Sequence, residues 1–265
     1  MSAAGLVRRE LGGVRDAATL LTRVPVGGGA GRPEVAATWF PLVGAAVGIV
    51  VASVLVLAST VLSAFEAAVL AVVVEVLLTG ALHLDGLADT ADGTAGRDPE
   101  HRLRIMRDHA IGVYGALAVG LDLALRVAVL AGLVVVGLPA PSVVVLVAAA
   151  YALSRWSLLH AALVLGYPRE AGTGQGLVEG LTAGRSRAAT GVLLVLLLAA
   201  GAVLGLPGLV ILAWSWVMAR AVSVLVAAWA RLRLGGITGD VLGACVELTL
   251  AVVLVVAAAL LRGAF

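Results

Sequence analysis

Residues 66–93 read EAAVLAVVVEVLLTGALHLDGLADTADG, an apolar run broken only by Glu75 that passes into His83 and then Asp85, Asp89 and Asp92. About 20 mainly apolar residues suffice for a helix to cross the hydrocarbon core of a bilayer. The run up to residue 84 therefore predicts a membrane-spanning helix with acidic chemistry at its end. Six further stretches have the same character: 39–63, 112–137, 142–165, 188–206, 208–230 and 238–261. The expectation is an all-α, polytopic helical membrane bundle with about seven transmembrane helices.

Composition leads to the same place. The chain is 62% hydrophobic and 13% charged, with a mean hydropathy of +1.11. Soluble domains are about 45–50% apolar and about 25% charged, so a water-soluble fold could not hide this much apolar surface. A formal net charge of +2 is too small to argue for nucleic acid. All 18 basic residues are Arg, which bind phosphate in a planar, bidentate way that Lys cannot. The single Cys245 excludes a disulfide framework and a Cys-based zinc site.

Charge fixes the expected orientation. Arg8, Arg9, Arg15, Arg23 and Arg32 precede the first span, and Arg97, Arg102, Arg104 and Arg107 follow the second. Arg169, Arg185 and Arg187 lie between the fourth and fifth, Arg231 and Arg233 between the sixth and seventh. The alternate connections carry no basic residue, so the positive-inside rule puts the N-terminus and every basic loop in the cytoplasm and the C-terminus outside. Arg262 is the mild exception. The N-terminus does not read as a signal peptide, because Arg8, Arg9, Glu10, Arg15 and Asp16 interrupt any apolar core. Leu11, Val14, Ala18 and Leu21 recur instead at helical spacing, which predicts an interfacial helix. The organisation is one transmembrane catalytic domain, 1–265, with an interfacial segment at 1–35 and cytoplasmic motif loops at 85–111, 166–187 and 231–240.

Asp85, Asp89 and Asp92 stand at i, i+4 and i+7, on one helix face, where they repel each other. A divalent cation removes that conflict, and Mg²⁺ prefers hard oxygen ligands shared with substrate phosphates. Arg104, Arg107 and Asp108 follow nearby, then Gly112-Val-Tyr-Gly115. Tyr167-Pro-Arg169-Glu-Ala-Gly172-Thr-Gly174 could cradle a phosphate or be a flexible loop. The last loop, Gly235-Gly-Ile-Thr238-Gly-Asp240, leads to Glu247, seven residues beyond Asp240 and inside the membrane, where an ionisable residue is a functional candidate by default. Two acidic faces from distant segments on one membrane side predict one shared site. Asp122 and Arg126, at i and i+4, are expected to neutralise each other. Glu75, Arg155 and Arg220 could line a polar cavity, with Arg155 the best placed for an anionic substrate, while His160 reads as a packed core residue. Gly44 and Gly48 have the spacing of close helix packing.

Thr22-Arg-Val-Pro-Val26, the 83–93 motif, Ile105-Met-Arg-Asp108 and Gly235-Gly-Ile-Thr-Gly-Asp-Val-Leu-Gly-Ala244 with Glu247 together resemble the cobalamin synthase, or adenosylcobinamide-GDP ribazoletransferase, family. The likeness spans nearly the whole chain, with one departure at Gly172-Thr-Gly174, where the family commonly has Gly-Leu-Gly. It implies a Mg²⁺-dependent enzyme of the cell (inner) membrane, its site facing the cytoplasm. That enzyme would join adenosylcobinamide-GDP to α-ribazole or its 5′-phosphate and release GMP. On that reading Asp85, Asp89, Asp92, Asp240 and Glu247 supply metal ligands. Arg23, Arg104, Arg107, Arg155, Arg169 and Thr238 contact substrate. Asp108 orients an Arg or completes the metal shell. His83 is either the general base for the ribazole hydroxyl or a hydrogen-bond partner of a neighbouring Asp. Two other readings compete: a CDP-alcohol-type phosphotransferase, although Asp89-Thr-Ala-Asp92-Gly93 matches only the start of that signature, and an ion-coupled transporter, which would favour inverted repeats that the sequence lacks.

Overall fold

The computed structural model describes residues 3–27, 31–168, 172 and 174–264. All regular elements among them are helical. Helix α1, Ala3–Leu21, is amphipathic and is followed by short α2, Pro33–Ala36, and a 3₁₀ turn at Ala37–Trp39. Then come α3 Phe40–Ala58, α4 Ala64–Thr79, α5 Leu82–Gly93 and α6 Pro99–Ile105. The series continues with α7 Val113–Val135, α8 Ala140–Val164, α9 Gln175–Gly180, α10 Ala183–Leu234 and α11 Gly239–Ala264.

Helix α8 is the axis of the bundle, packed by α3, α10 and α11 and buried along most of its length. Gly44 and Gly48 explain the closeness of α3: a β-carbon at either would press on the α8 backbone, 2.5 Å from Tyr151 O or 2.7 Å from Ala148 Cα. This is the small-residue packing the spacing predicts.

Two expected spans are reshaped. The second does not run straight into the aspartates. Gly80 and Ala81 both adopt left-handed backbone (φ 64° and 57°), so α4 stops at Thr79 and α5 leaves at 91° to it. The sixteen residues of α4 rise about 24 Å, short of the ~30 Å hydrocarbon core, so α5 begins near the membrane boundary. The 52-residue α10 is two helices meeting at Gly205 (φ 70°, ψ −167°). Trp156 donates to Thr190 Oγ1 at 3.0 Å and stacks on Trp216 with ring centroids 6.1 Å apart. A straight helix would hold residues 190 and 216 about 39 Å apart, so the chain reverses between them. The expected break at Leu206-Pro207-Gly208 thus lies just past the real one. Five described helices are long and apolar enough to cross a membrane, or six with the bent α4–α5 pair as one; α10 is counted once in those figures and contributes two limbs.

One end of the bundle gathers the motif loops. Ile237 N donates to Gly166 O at 3.0 Å, and Gly174 packs on Gly239. Arg23 N donates to Leu78 O at 2.8 Å, and the Arg23 side chain lies over Gly80. Arg185 Nη1 bonds Glu10 Oε1 at 2.9 Å, tying α1 to the start of α10. Arg262 lies at the other end, beside Gly132 of α7.

Candidate active site

Helices α5 and α11 cross at glycines. A β-carbon on Gly86 would stand 2.5 Å from Asp240 O, and one on Gly243 3.2 Å from His83 O. This bare crossing brings the 83–93 and 235–244 motifs together. Beside it lies a cavity of about 320 Å³, lined among others by His83, Asp85, Gly86, Gly174, Asp240 and Gly243. Leu20, Leu21, Phe40 and Leu158 give it an apolar wall from α1, α3 and α8. Polar groups converging on a largely apolar concavity are what a small-molecule site requires. Asp85 and Asp240, from the first and last acidic motifs, line this same cavity.

The other predicted residues divide. Asp89 lies one turn beyond Asp85 and is half-buried. Asp92 caps the next span: Oδ2 accepts from Gly112 N at 2.7 Å and Oδ1 from Gly115 N at 2.9 Å. A carboxylate at a helix N-terminus satisfies orphan N–H groups and the helix dipole together, and the two glycines leave room for it, since a β-carbon at either would strike the carboxylate. Thr238 is buried and caps α11, its Oγ1 accepting from Val241 N at 3.3 Å and meeting Asp240 Oδ2 at 3.3 Å. Arg104, Arg107 and Asp108 are exposed, and Asp108 Oδ1 accepts from Ala110 N at 3.1 Å. Arg23 is exposed beside the α4–α5 bend. Arg169 lies outside the described residues.

Glu247 and Arg155 differ most from expectation. Arg155 is 1% exposed and turns inward, with Nη1 2.8 Å from Ser154 Oγ and its guanidinium 4.8 Å from the Tyr151 ring centre. It does not line the cavity that holds Asp85 and Asp240. Glu247 is 2% exposed, with Oε2 3.1 Å from Arg126 Nη2 and Oε1 3.9 Å from His83 Nδ1. Arg126 also holds both Glu75 oxygens through Nη1 at 2.9 Å and pairs with Asp122. The expected Asp122–Arg126 pair is therefore part of a larger buried network that takes in Glu247 and reaches the cavity at His83. Its signal was in the sequence as intramembrane charges on separate spans; their mutual contact was not. His160 is half-buried and lines a shallow pocket rather than being packed in the core.

Among the described residues no three His, Cys, Asp or Glu side chains enclose a metal position by themselves. Mg²⁺ is usually held by one or two carboxylates plus phosphate oxygens and water, not by an all-protein cage. The donor set at Asp85, Asp89 and Asp240 has the required hard-oxygen chemistry.

A helical bundle of apolar spans with a carboxylate-lined cavity at one end defines a polytopic membrane protein. The chain belongs to the cobalamin-5-phosphate synthase family, whose model matches residues 13–258. It is thus a membrane transferase of cobalamin biosynthesis. It is similar to the adenosylcobinamide-GDP ribazoletransferase of Halorubrum lacusprofundi, 42% identical over 89% of this chain and 92% of that one. The proteins of the same name from Bradyrhizobium diazoefficiens (37% identical, 97% of each chain) and Shewanella amazonensis (36%, 91% of this chain and 92% of that one) are also similar. No solved structure matches the chain.

Proposed function

We propose that the chain transfers the cobinamide-bearing phosphate of adenosylcobinamide-GDP to a hydroxyl of α-ribazole, or of its 5′-phosphate, with release of GMP. The bond broken is the pyrophosphate P–O bond to GMP and the bond formed is a phosphodiester to the ribazole oxygen. The GMP phosphate leaves with the bridging oxygen. The reading rests on the relatives' shared name over nearly the whole chain, and is carried structurally by Asp85 and Asp240 on one cavity.

In such a displacement positioning and charge neutralisation supply most of the acceleration. Asp85 and Asp240, which line the cavity, with Asp89 one turn away, would each offer a carboxylate to Mg²⁺ completed by substrate phosphate oxygens and water; the ion would supply neutralising charge to the displacement. His83, on the cavity wall, would take the ribazole hydroxyl proton. Arg23, Arg104 and Arg107, at the same end of the bundle, offer guanidiniums to the GDP portion. Asp92 holds the α5–α7 connection in place. By the positive-inside rule the basic loops would put this end in the cytoplasm, with the chain in the cell (inner) membrane. GMP release by purified protein tests the reading. Release is expected with both substrates and Mg²⁺, lost on chelation and restored by Mg²⁺; no release with both substrates present would overturn the function, and release unaffected by chelation would overturn the metal.

A further inference from the structure

The network under the cavity floor is larger than folding needs. Arg126, Arg155, Glu75, Asp122 and Glu247 are each at most 7% exposed. They come from α4, α7, α8 and α11, and His83 adds α5. Breaking such a network by removing one partner is costly, but replacing it whole with apolar residues is often neutral or stabilising. Its presence within the membrane, where ionisable groups are costly, points to function rather than to stability. Only one member, His83, also lines the cavity.

Arg126 is the residue on which the others converge. Nη1 takes both oxygens of Glu75, and Nη2 reaches Asp122 and Glu247. Glu247 Oε1 lies 3.9 Å from His83 Nδ1. The two end nitrogens of one planar guanidinium thus fix carboxylates on three helices, a geometry that a single ammonium cannot reproduce. Glu75 is held a second time from the far side by Arg155 Nη2 at 3.9 Å.

We propose that Arg126 is a positioning residue for the transfer, holding α11 against α4 and α7 through Glu247 and thereby setting His83 at the cavity wall. It touches no substrate and acts only through the residues it binds. The inference rests on the function proposed above, and a wild-type control separates the two. The experiment compares wild type with Arg126→Lys in lipid nanodiscs. It measures GMP release, equilibrium binding of adenosylcobinamide-GDP, and kcat per substrate-binding site.

Misplacement by about 1 Å can lower a rate about 10²-fold, so Arg126→Lys is expected to lose about that in kcat while KM and substrate binding change less than about threefold. A merely structural role would reduce the number of binding sites and leave kcat per site unchanged, which overturns the proposal. Where Arg126→Lys does not fold, Glu75→Gln replaces it: Glu75 does not line the cavity, and its hydrogen bonds in the network are to Arg126, so a change in kcat reports on the positioning that Arg126 provides. A folded Glu75→Gln with wild-type kcat also overturns the proposal. No GMP from wild type rejects the function itself.

Discussion

Asp85 and Asp92 lie seven residues apart on one short helix, yet their surroundings assign them different work. Asp92 holds two backbone N–H groups at the start of α7, whereas Asp85 is exposed to the cavity. Asp92→Ala is expected to cost about 1–2 kcal/mol, the value of a helix cap, read as a lower thermal midpoint in detergent. Asp85→Asn should leave stability within about 0.5 kcal/mol, as surface substitutions do, while abolishing GMP release. Equal destabilisation by the two would contradict this division. Sequence spacing found all three aspartates but not the division, because Gly112 and Gly115 come to Asp92 only through the fold.

Between elements, the decisive contacts are made where side chains are missing. At Gly86 any β-carbon would lie 2.5 Å from Asp240 O, so Gly86→Ala should push α5 from α11. Overpacking of this kind costs about 1–3 kcal/mol, and GMP release should fall by about 10²-fold as the motifs separate. The α4–α5 bend makes the opposite prediction. Ala81 holds a left-handed backbone (φ 57°) that a side chain disfavours by about 1–2 kcal/mol. Ala81→Gly should therefore raise stability by about 0.5–1 kcal/mol, after allowing for the freedom glycine gains unfolded, seen as a higher thermal midpoint with activity intact. The long apolar runs made most spans legible, since length and hydropathy alone define them. The bend was not legible: Gly80 signals a possible stop, but nothing in Ala81 or Leu82 announces a 91° turn. The reversal in α10 was announced by Leu206-Pro207-Gly208 and is made one residue earlier, at Gly205.

At the scale of the whole molecule, the basic loops and both acidic motifs occupy one end of the bundle, and Arg262 the other. Cys245 is fully buried, so in a Cys245→Ala background single cysteines report sidedness. Val61→Cys, at an exposed turn after α3, should react with an impermeant maleimide added outside intact cells, and Thr94→Cys, exposed after α5, only once the membrane is opened. The reverse pattern would invert the orientation. Intramembrane charges such as Glu75 and Arg126 were visible as anomalies in apolar runs, but only the packed bundle joins them to Glu247 and His83. The central claim is that Asp85 and Asp240, 155 positions apart, serve one site. GMP release by Asp85→Asn, Asp240→Asn and the double variant tests it directly. Residues acting as a unit are strongly non-additive, so each single change should remove nearly all activity and the double no more; near-normal turnover by Asp240→Asn, or losses that multiply, would contradict a shared site.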